Sequence, residues 1–453
     1  MKKIFDTIKN IWKIEDLRYK LQITFWLLLV YRIGSYVTLP GVDPNLLEGT
    51  EKQAEGGLFG IINMFAGGAF GRASIFALGI MPYISASIVM QLLTLALPTF
   101  QRMQKEGEDG RRKINQITRY LTIVITVVQS VGFLVNLQNT DPQAILSNID
   151  PSALSNFMFT FTSVIILTAS TMFVMWLGER ITDKGIGNGI SLIIMIGIIA
   201  RLPFAFWDEF LFKLTAEGGG LVIFLVEIVA LFAVILLVIL LVQGTRRIPV
   251  QYAKRIVGNR QYGGVRQYIP LKINAAGVMP IIFAQALMFI PSYIGQFFQN
   301  VEVNSFLGAF SDPYSVSYNL TFGILIVLFT YFYTAISVNS NQIADDMKRN
   351  NGFVPGVKPG KTTAEFLDNI VSRITLPGAV FLAIVAVLPS FAKILNINSQ
   401  FAQFYGGTSL LILVGVVLDT LQQIESHLLM RHYDGLMKSG KIKGRTGTTA
   451  GAM

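Results

Sequence analysis

Few residues in this chain are equipped for bond-making chemistry. There are two histidines, His427 and His432, and no cysteine. Disulfides, thiolate nucleophiles and cysteine-ligated zinc are thereby removed at once. Both histidines fall beyond the last apolar stretch, so neither a buried serine–histidine pair nor an HExxH helix is expected, and no GxxxxGK[ST] loop offers a nucleotide site. The residues that stand out do electrostatics instead. Residues 244–272 hold Arg246, Arg247, Lys254, Arg255, Arg260, Arg266 and Lys272 with no acidic residue, a pattern suited to phosphate groups. Glu227 stands alone about six residues into an unbroken apolar run, where an unpaired charge costs about 2.5–3.5 kcal/mol. It needs protein or water around it. Arg201 is one expected partner; snorkelling to the outer interface is the other reading.

The elements that carry these residues are membrane helices. The chain is 52% hydrophobic and 14% charged, against about 25% charged in soluble domains. Its first twenty residues, MKKIFDTIKNIWKIEDLRYK, are basic and amphipathic without a cleavable signal pattern, and are expected along the membrane surface. Ten spans follow, at about 21–39, 73–97, 117–137, 157–177, 186–206, 221–242, 273–294, 319–338, 374–394 and 408–424. The N-terminus and alternate loops (1–20, 98–120, 178–189, 244–272, 342–373 and 425–453) hold 31 of the 37 Lys and Arg residues. The positive-inside rule therefore puts both termini in the cytoplasm.

One apolar stretch does not fit a simple span. Leu58 to Phe70 has only about a dozen residues, is broken by Gly67 and Gly68, and is followed by Arg72. At ~1.5 Å per residue it reaches about halfway through the hydrocarbon. Counting it as a crossing would put Arg111, Arg112 and Lys113 outside. Half-depth backbone is tolerated only where protein or water covers it, so the chain is expected to enclose a cavity with this segment inside.

An internal echo supports two related halves. Gly79-Ile80-Met81-Pro82 lies in the second span and Gly277-Val278-Met279-Pro280 in the seventh. Each is the second span of a five-span half, and an odd number of spans gives the halves opposite topology, as in many transport proteins. A secondary transporter of a small solute is therefore the main rival reading. It calls for a polar or charged site at mid-membrane, and no chain of titratable residues runs there.

The longer motifs GGAFGRASIFALGIMPYISASIVMQLL, ERITDKGIGNGISL, TRRIPVQYAKR, NAAGVMPIIFA, FVPGVKPGKTTAEFLD and GGTSLLILVGV strongly resemble the SecY family of protein-translocation channels, in order from about residue 14 to 440. The resemblance implies an all-α polytopic membrane protein of ten transmembrane helices, in two pseudo-symmetric inverted five-helix halves around a central hourglass pore. It divides the chain into a cytoplasmic segment 1–20, an N-terminal half 21–206, an external loop and helix 207–243, a basic cytoplasmic loop 244–272, helices 273–341, a second docking loop 342–373, helices 374–424 and a cytoplasmic tail 425–453. It makes residues 58–72 a plug, including Leu58, Phe59, Ile61, Ile62, Met64, Phe65, Gly67, Gly68, Phe70 and Arg72. It makes Ile80, Ile84, Ile190, Ile194, Met279 and Ile412 an aliphatic pore ring; the two isoleucine pairs at i, i+4 each share a helix face. Met279 replaces the more usual isoleucine, and its flexible thioether can still fill a gap.

The resemblance also implies a lateral gate between the second and seventh helices. Ser85, Ser87 and Gln91 are expected on one side, with Phe283 and Gln285 on the other. Partners are expected to dock on Arg246, Arg247, Lys254, Arg255, Lys358 and Lys361. Lys358 stands where arginine is usual, which changes a bidentate contact into a point-charge contact. The implied function is a passive, gated conduit for unfolded secretory polypeptides that releases transmembrane segments sideways into membrane lipid. The implied partners are SecE-type and SecG-type small subunits, the SecA motor ATPase, the ribosome, signal sequences and nascent polypeptides. No cofactor, metal or catalytic residue is expected. Chain length and the lack of a transit peptide favour the bacterial inner membrane.

Overall fold

The computed structural model describes residues 14–53, 57–146, 153–215, 220–252, 255–257, 260–262, 266–297 and 312–438. Most of the expected N-terminal surface segment, Lys254 and the end of the C-terminal tail lie outside the described residues, as do the side chains of Leu58 and Arg255.

Helix α1 (Glu15–Gly34) opens the chain, followed by the short α2 (Glu48–Gln53) and by α3 (Gly57–Phe65). Then come α4 (Met81–Ala96), α5 (Pro98–Lys105), α6 (Glu108–Thr140), α7 (Ala153–Lys184) and α8 (Gly189–Leu214), which complete the first half. The second half begins with α9 (Leu221–Gln243). Strands β1 (Thr245–Tyr252), β2 (Arg255–Val257), β3 (Arg260–Tyr262) and β4 (Arg266–Lys272) lead into α10 (Met279–Phe297), α11 (Val316–Ser337) and α12 (Ser340–Arg349). Strand β5 (Gly352–Phe353), α13 (Lys361–Ile394), α14 (Ser399–Ala402) and α15 (Gly407–Lys438) finish it. The protein is a polytopic all-α membrane protein. Seven of the described helices are long and apolar enough to cross a membrane unaided. The other three expected spans are the charge-flanked α1, the 16-residue α4 and α10.

Local chemistry sets the helix boundaries. Asn188 caps α8, its side chain accepting from the backbone N–H of Ile190 at 3.1 Å and Ser191 at 3.4 Å, and Ser315 caps α11 through the N–H of Tyr318 at 3.1 Å. Helix α9 is apolar on all faces apart from Glu227 and stops at Gly244, as expected of a helix that faces lipid. The fifth span runs on to Leu214, past the expected limit of 206.

The second span differs from expectation. Helix begins only at Met81, not at about 73, because residues 66–80 are a chain of turns. Gly67, Gly68 and Gly79 have φ of +67°, +85° and +53°, and Ala73 has +42°. A right-handed helix cannot pass through such residues. The backbone groups freed there are satisfied elsewhere: Leu39 N–H donates to Ala73 O and Ile75 N–H to Val37 O, both at 2.9 Å.

The basic loop is also more ordered than a loop. β1 pairs antiparallel with β4 from Thr245↔Lys272 to Gln251↔Arg266, and β5 adds to the free edge of β1. Ile248, Val250, Leu271, Met347, Val354 and Leu367 form a second apolar core beneath it. Strands β1 and β4 and the residues of 342–373 that pack on them, expected in separate loops, are thus one small folded unit, while β2 and β3 pair in a sheet of their own.

Candidate pore and plug

Helix α3 ends where two glycines take left-handed backbone conformations. Gly67 N–H donates to Met64 O at 3.0 Å and Gly68 N–H to Asn63 O at 2.7 Å, closing the helix as such caps do. The turn leaves the carbonyls of Ala66 and Gly67 pointing away from the helix. Tyr31 on α1 donates to Ala66 O at 3.4 Å. Gly67 O accepts from Arg32 Nη1 at 2.7 Å and from Arg72 Nη2 at 3.1 Å. Tyr36 lies against both guanidiniums, 4.8 Å from Arg32 and 4.3 Å from Arg72, which disperses part of their like charge. Arg32, near the end of the first span, therefore holds the end of this segment.

Other elements meet the same segment. Phe70 packs edge-on against Phe133 of α6 at 5.1 Å and stacks on Phe59 at 5.5 Å. Ser409 on α15 donates to Met64 Sδ at 3.4 Å. The backbone of α8 comes closest: a Cβ placed on Gly197 would lie 2.8 Å from Phe65 O, 3.2 Å from Gly67 N and 3.3 Å from Met64 O. Ile62, Met64, Phe65 and Phe70 are buried, while Phe59 and Ile61 are half-buried. The helical part of the segment, Gly57–Phe65, has nine residues, too few to cross a membrane.

Beneath Phe65 lies an aliphatic constriction. Ile84 of α4, Ile194 of α8 and Ile412 of α15 surround a void of about 10 Å³ together with Phe65, Met81, Ile282, Gln285 and Ala286. That is at the threshold for one water. Of the six expected ring residues, these three converge on the void. Ile80 is buried at the start of α4 but does not line it. Ile190 and Met279 are half-buried, and Ile190 instead packs against Gly178 of α7, where an added Cβ would meet its Cγ1 at 3.1 Å. Ile282 and Ala286 were missed. Their i, i+4 spacing, like that of Ile80 and Ile84, was the available signal.

The seam between α4 and the second half is held by neutral groups. Gln91 Nε2 donates to Ser87 Oγ at 3.3 Å, and Gln91 Oε1 accepts from the Tyr333 hydroxyl of α11. Phe283, 1% exposed, packs edge-on against Tyr333 at 5.1 Å. Gln285 was expected to face the serines of α4, but its Nε2 donates to Tyr318 Oη at 3.0 Å, within its own half. Tyr333 supplies the cross-seam bond because the tyrosine arm is long enough to reach across from α11. Ser85 is half-buried beside this line. Replacing Tyr333 with Phe should ease seam opening, read as higher export of a precursor with a weakened signal sequence; unaltered export would remove this bond from the gate.

Most of the residues expected to dock partners lie on or beside the small folded unit. Arg246 and Arg247 are exposed on β1, and Lys358 and Lys361 are exposed around the start of α13. Arg255 opens β2. The expected Glu227–Arg201 pair does not form: Lys213 Nζ lies 2.9 Å from Glu227 Oε1, because α8 extends far enough to bring Lys213 alongside α9.

Comparison with known proteins adds the family context. The model of the SecY family matches residues 74–421. A protein translocase subunit SecY from Streptomyces scabiei is 42% identical over 444 residues, covering 94% of this chain and 98% of that protein. Two solved structures share the fold at 18% identity, each covering 94% of this chain and 95% of its own. One is a SecY channel whose plug domain stabilises the closed state and maintains a membrane seal, with a TM-score of 0.63. The other, at 0.60, is Sec61 in a canine ribosome–channel complex from the endoplasmic reticulum.

Proposed function

Because the chain belongs to the SecY family, we propose that it forms the protein-conducting pore of a translocase, passing unfolded polypeptides across the membrane and releasing apolar segments into lipid. The observation that carries this reading is the gripped segment Leu58–Arg72 seated over a nearly dry aliphatic constriction. An apolar ring offers a moving polypeptide no hydrogen-bonding partner, and a narrow apolar passage resists wetting by ions. Residues 58–72 act as the plug, Ile84, Ile194 and Ile412 as the core of the ring, and the Ser85–Gln91 face of α4 against Phe283 as the lateral gate. A void this small at the aliphatic crossing holds no solute there, which speaks against the transporter reading.

The pore is passive, so energy comes from a partner that pushes. The relative seen on a ribosome supports ribosome docking here, through the basic strand unit; SecA uses the same surface, and SecE-type and SecG-type subunits complete the complex. The chain sits in a bacterial cytoplasmic membrane with both termini inside, in accord with its lysine and arginine distribution. The test is reconstitution into liposomes with the small subunits and SecA. ATP-dependent import of a secretory precursor is expected, and failure to import under conditions that support a known translocase would overturn the reading.

Two milder results are expected. Reversing Arg246 and Arg247 to Glu should weaken ribosome binding and flatten its salt dependence, since phosphate contacts release counterions; affinity unchanged at physiological salt would exclude these residues. Arg32→Ala removes a charge-assisted hydrogen bond of roughly 1.5–3 kcal/mol, discounted here for partial exposure. It should raise the open fraction of idle channels about tenfold, read as ion conductance.

A further inference from the structure

The deepest charges in the described residues lie at the opposite seam, where α8 of the first half meets α9 of the second. Glu209 is 0%, Lys213 2% and Glu227 6% exposed. Lys213 Nζ lies 3.4 Å from Glu209 Oε1, 2.9 Å from Glu227 Oε1 and 3.0 Å from the carbonyl of Asn396, to which it donates. Glu209 Oε2 accepts the backbone N–H of Asn398 at 2.9 Å. Asn396 follows the C-cap of α13 in a left-handed conformation, φ +58°, so the lysine also sits beside the C-terminal end of a helix, where a cation is favoured. One ammonium thus ties α8 to α9 and to the α13–α14 turn.

Two carboxylates face this single cation, and Glu209 Oε1, Glu227 Oε2 and the Tyr405 hydroxyl accept or donate no hydrogen bond. Removing Lys213 would leave two buried acids without the cation they share. Removing one partner of a buried ion pair is far more disruptive than exchanging the whole set for apolar groups. The α4–α11 seam, by contrast, is bridged by the neutral Gln91–Tyr333 hydrogen bond.

We propose that Glu209, Lys213 and Glu227 are a buried ionic pivot, which holds the α8–α9 seam fixed so that separation of the halves is confined to the α4–α11 seam. These are positioning residues: they touch no translocating chain and act by setting where the molecule opens. The proposal rests on the gated-channel reading above. It accounts for charges buried at one seam where, among the described residues, the other is bridged by neutral groups.

The chain has no cysteine, so spin labels can be placed uniquely. One pair, at Trp207 and Val222, both exposed, reports the α8–α9 seam; a second, at Val89 and Ile336, both exposed, reports the gate seam. Distances are read in the full membrane complex, idle and with a secretory precursor stalled by a folded C-terminal block. In the parent the precursor should widen the gate pair and leave the other unchanged. In Lys213→Met the α8–α9 pair should broaden on engagement and gate opening should shrink, with import slowed several-fold. Glu227→Gln, which keeps the Glu209–Lys213 pair, should show the same change to a smaller degree and serves as the test if Lys213→Met fails to accumulate. An α8–α9 distance as narrow in the variants as in the parent, with normal gate opening, overturns the pivot. A parent whose gate pair never widens removes the gated-channel reading and the pivot with it.

Discussion

Gly197→Ala should leave idle channels leaking ions. The new methyl would sit 2.8 Å from Phe65 O, 3.2 Å from Gly67 N and 3.3 Å from Met64 O. All three are backbone atoms, so no side-chain rotation relieves the contact. Either α8 or the plug must shift. Around Gly197, α8 is fixed by the buried Ile193, Ile194 and Ile198, and close-packed interiors resist displacement. The plug is a short segment held by side chains alone: two guanidinium bonds to one carbonyl, the Tyr31 and Ser409 hydroxyls, and apolar contacts. It should yield first, giving conductance well above the parent together with import of precursors that carry defective signal sequences. Thermal stability should change little, because the helix keeps its own core. A tight idle channel in a folded Gly197→Ala protein would mean that α8 moves instead and that the plug is not seated by this contact.

Ile412→Asn should have a comparable effect by a different route. Ile412 is 1% exposed and lines the void beneath Phe65 with Ile84 and Ile194. Gln285 is the one polar side chain lining the void, and its amide N–H is engaged by Tyr318, so a second amide there is left under-satisfied, at a cost of roughly 1–3 kcal/mol. The penalty falls on the closed state, since an opened pore lets water reach the amide. At about 1.4 kcal/mol per factor of ten, the closed-to-open ratio should fall roughly 5- to 150-fold. The informative control is Ile190→Asn. The family resemblance makes the two positions equivalent, but Ile190 packs on Gly178 away from the void, so its variant should leak far less. Single-channel recordings of both variants decide the matter. Equal leakage would return Ile190 to the ring, and silence from Ile412→Asn would dissolve the ring as drawn.

Sequence determined the parts of this protein that depend on composition along the chain. Apolar runs long enough for lipid, the one run too short to cross, and the distribution of lysine and arginine are local quantities, and a bilayer reads them residue by residue. The polar line from Ser85 to Gln91 and the basic run 244–272 were visible for the same reason. Tertiary structure decided which side chains meet. The left-handed turns after Phe65 delay the helix to Met81 and turn two carbonyls toward Arg32 and Arg72. Tyr333, rather than Gln285, reaches Gln91. Ile282 enters the constriction and Ile190 leaves it. Lys213 is carried by an extended α8 into the interior between two glutamates. Each of these depends on where a helix ends and how it is rotated against a neighbour far away in the chain. Packing fixes those quantities, and no local pattern of residues records them.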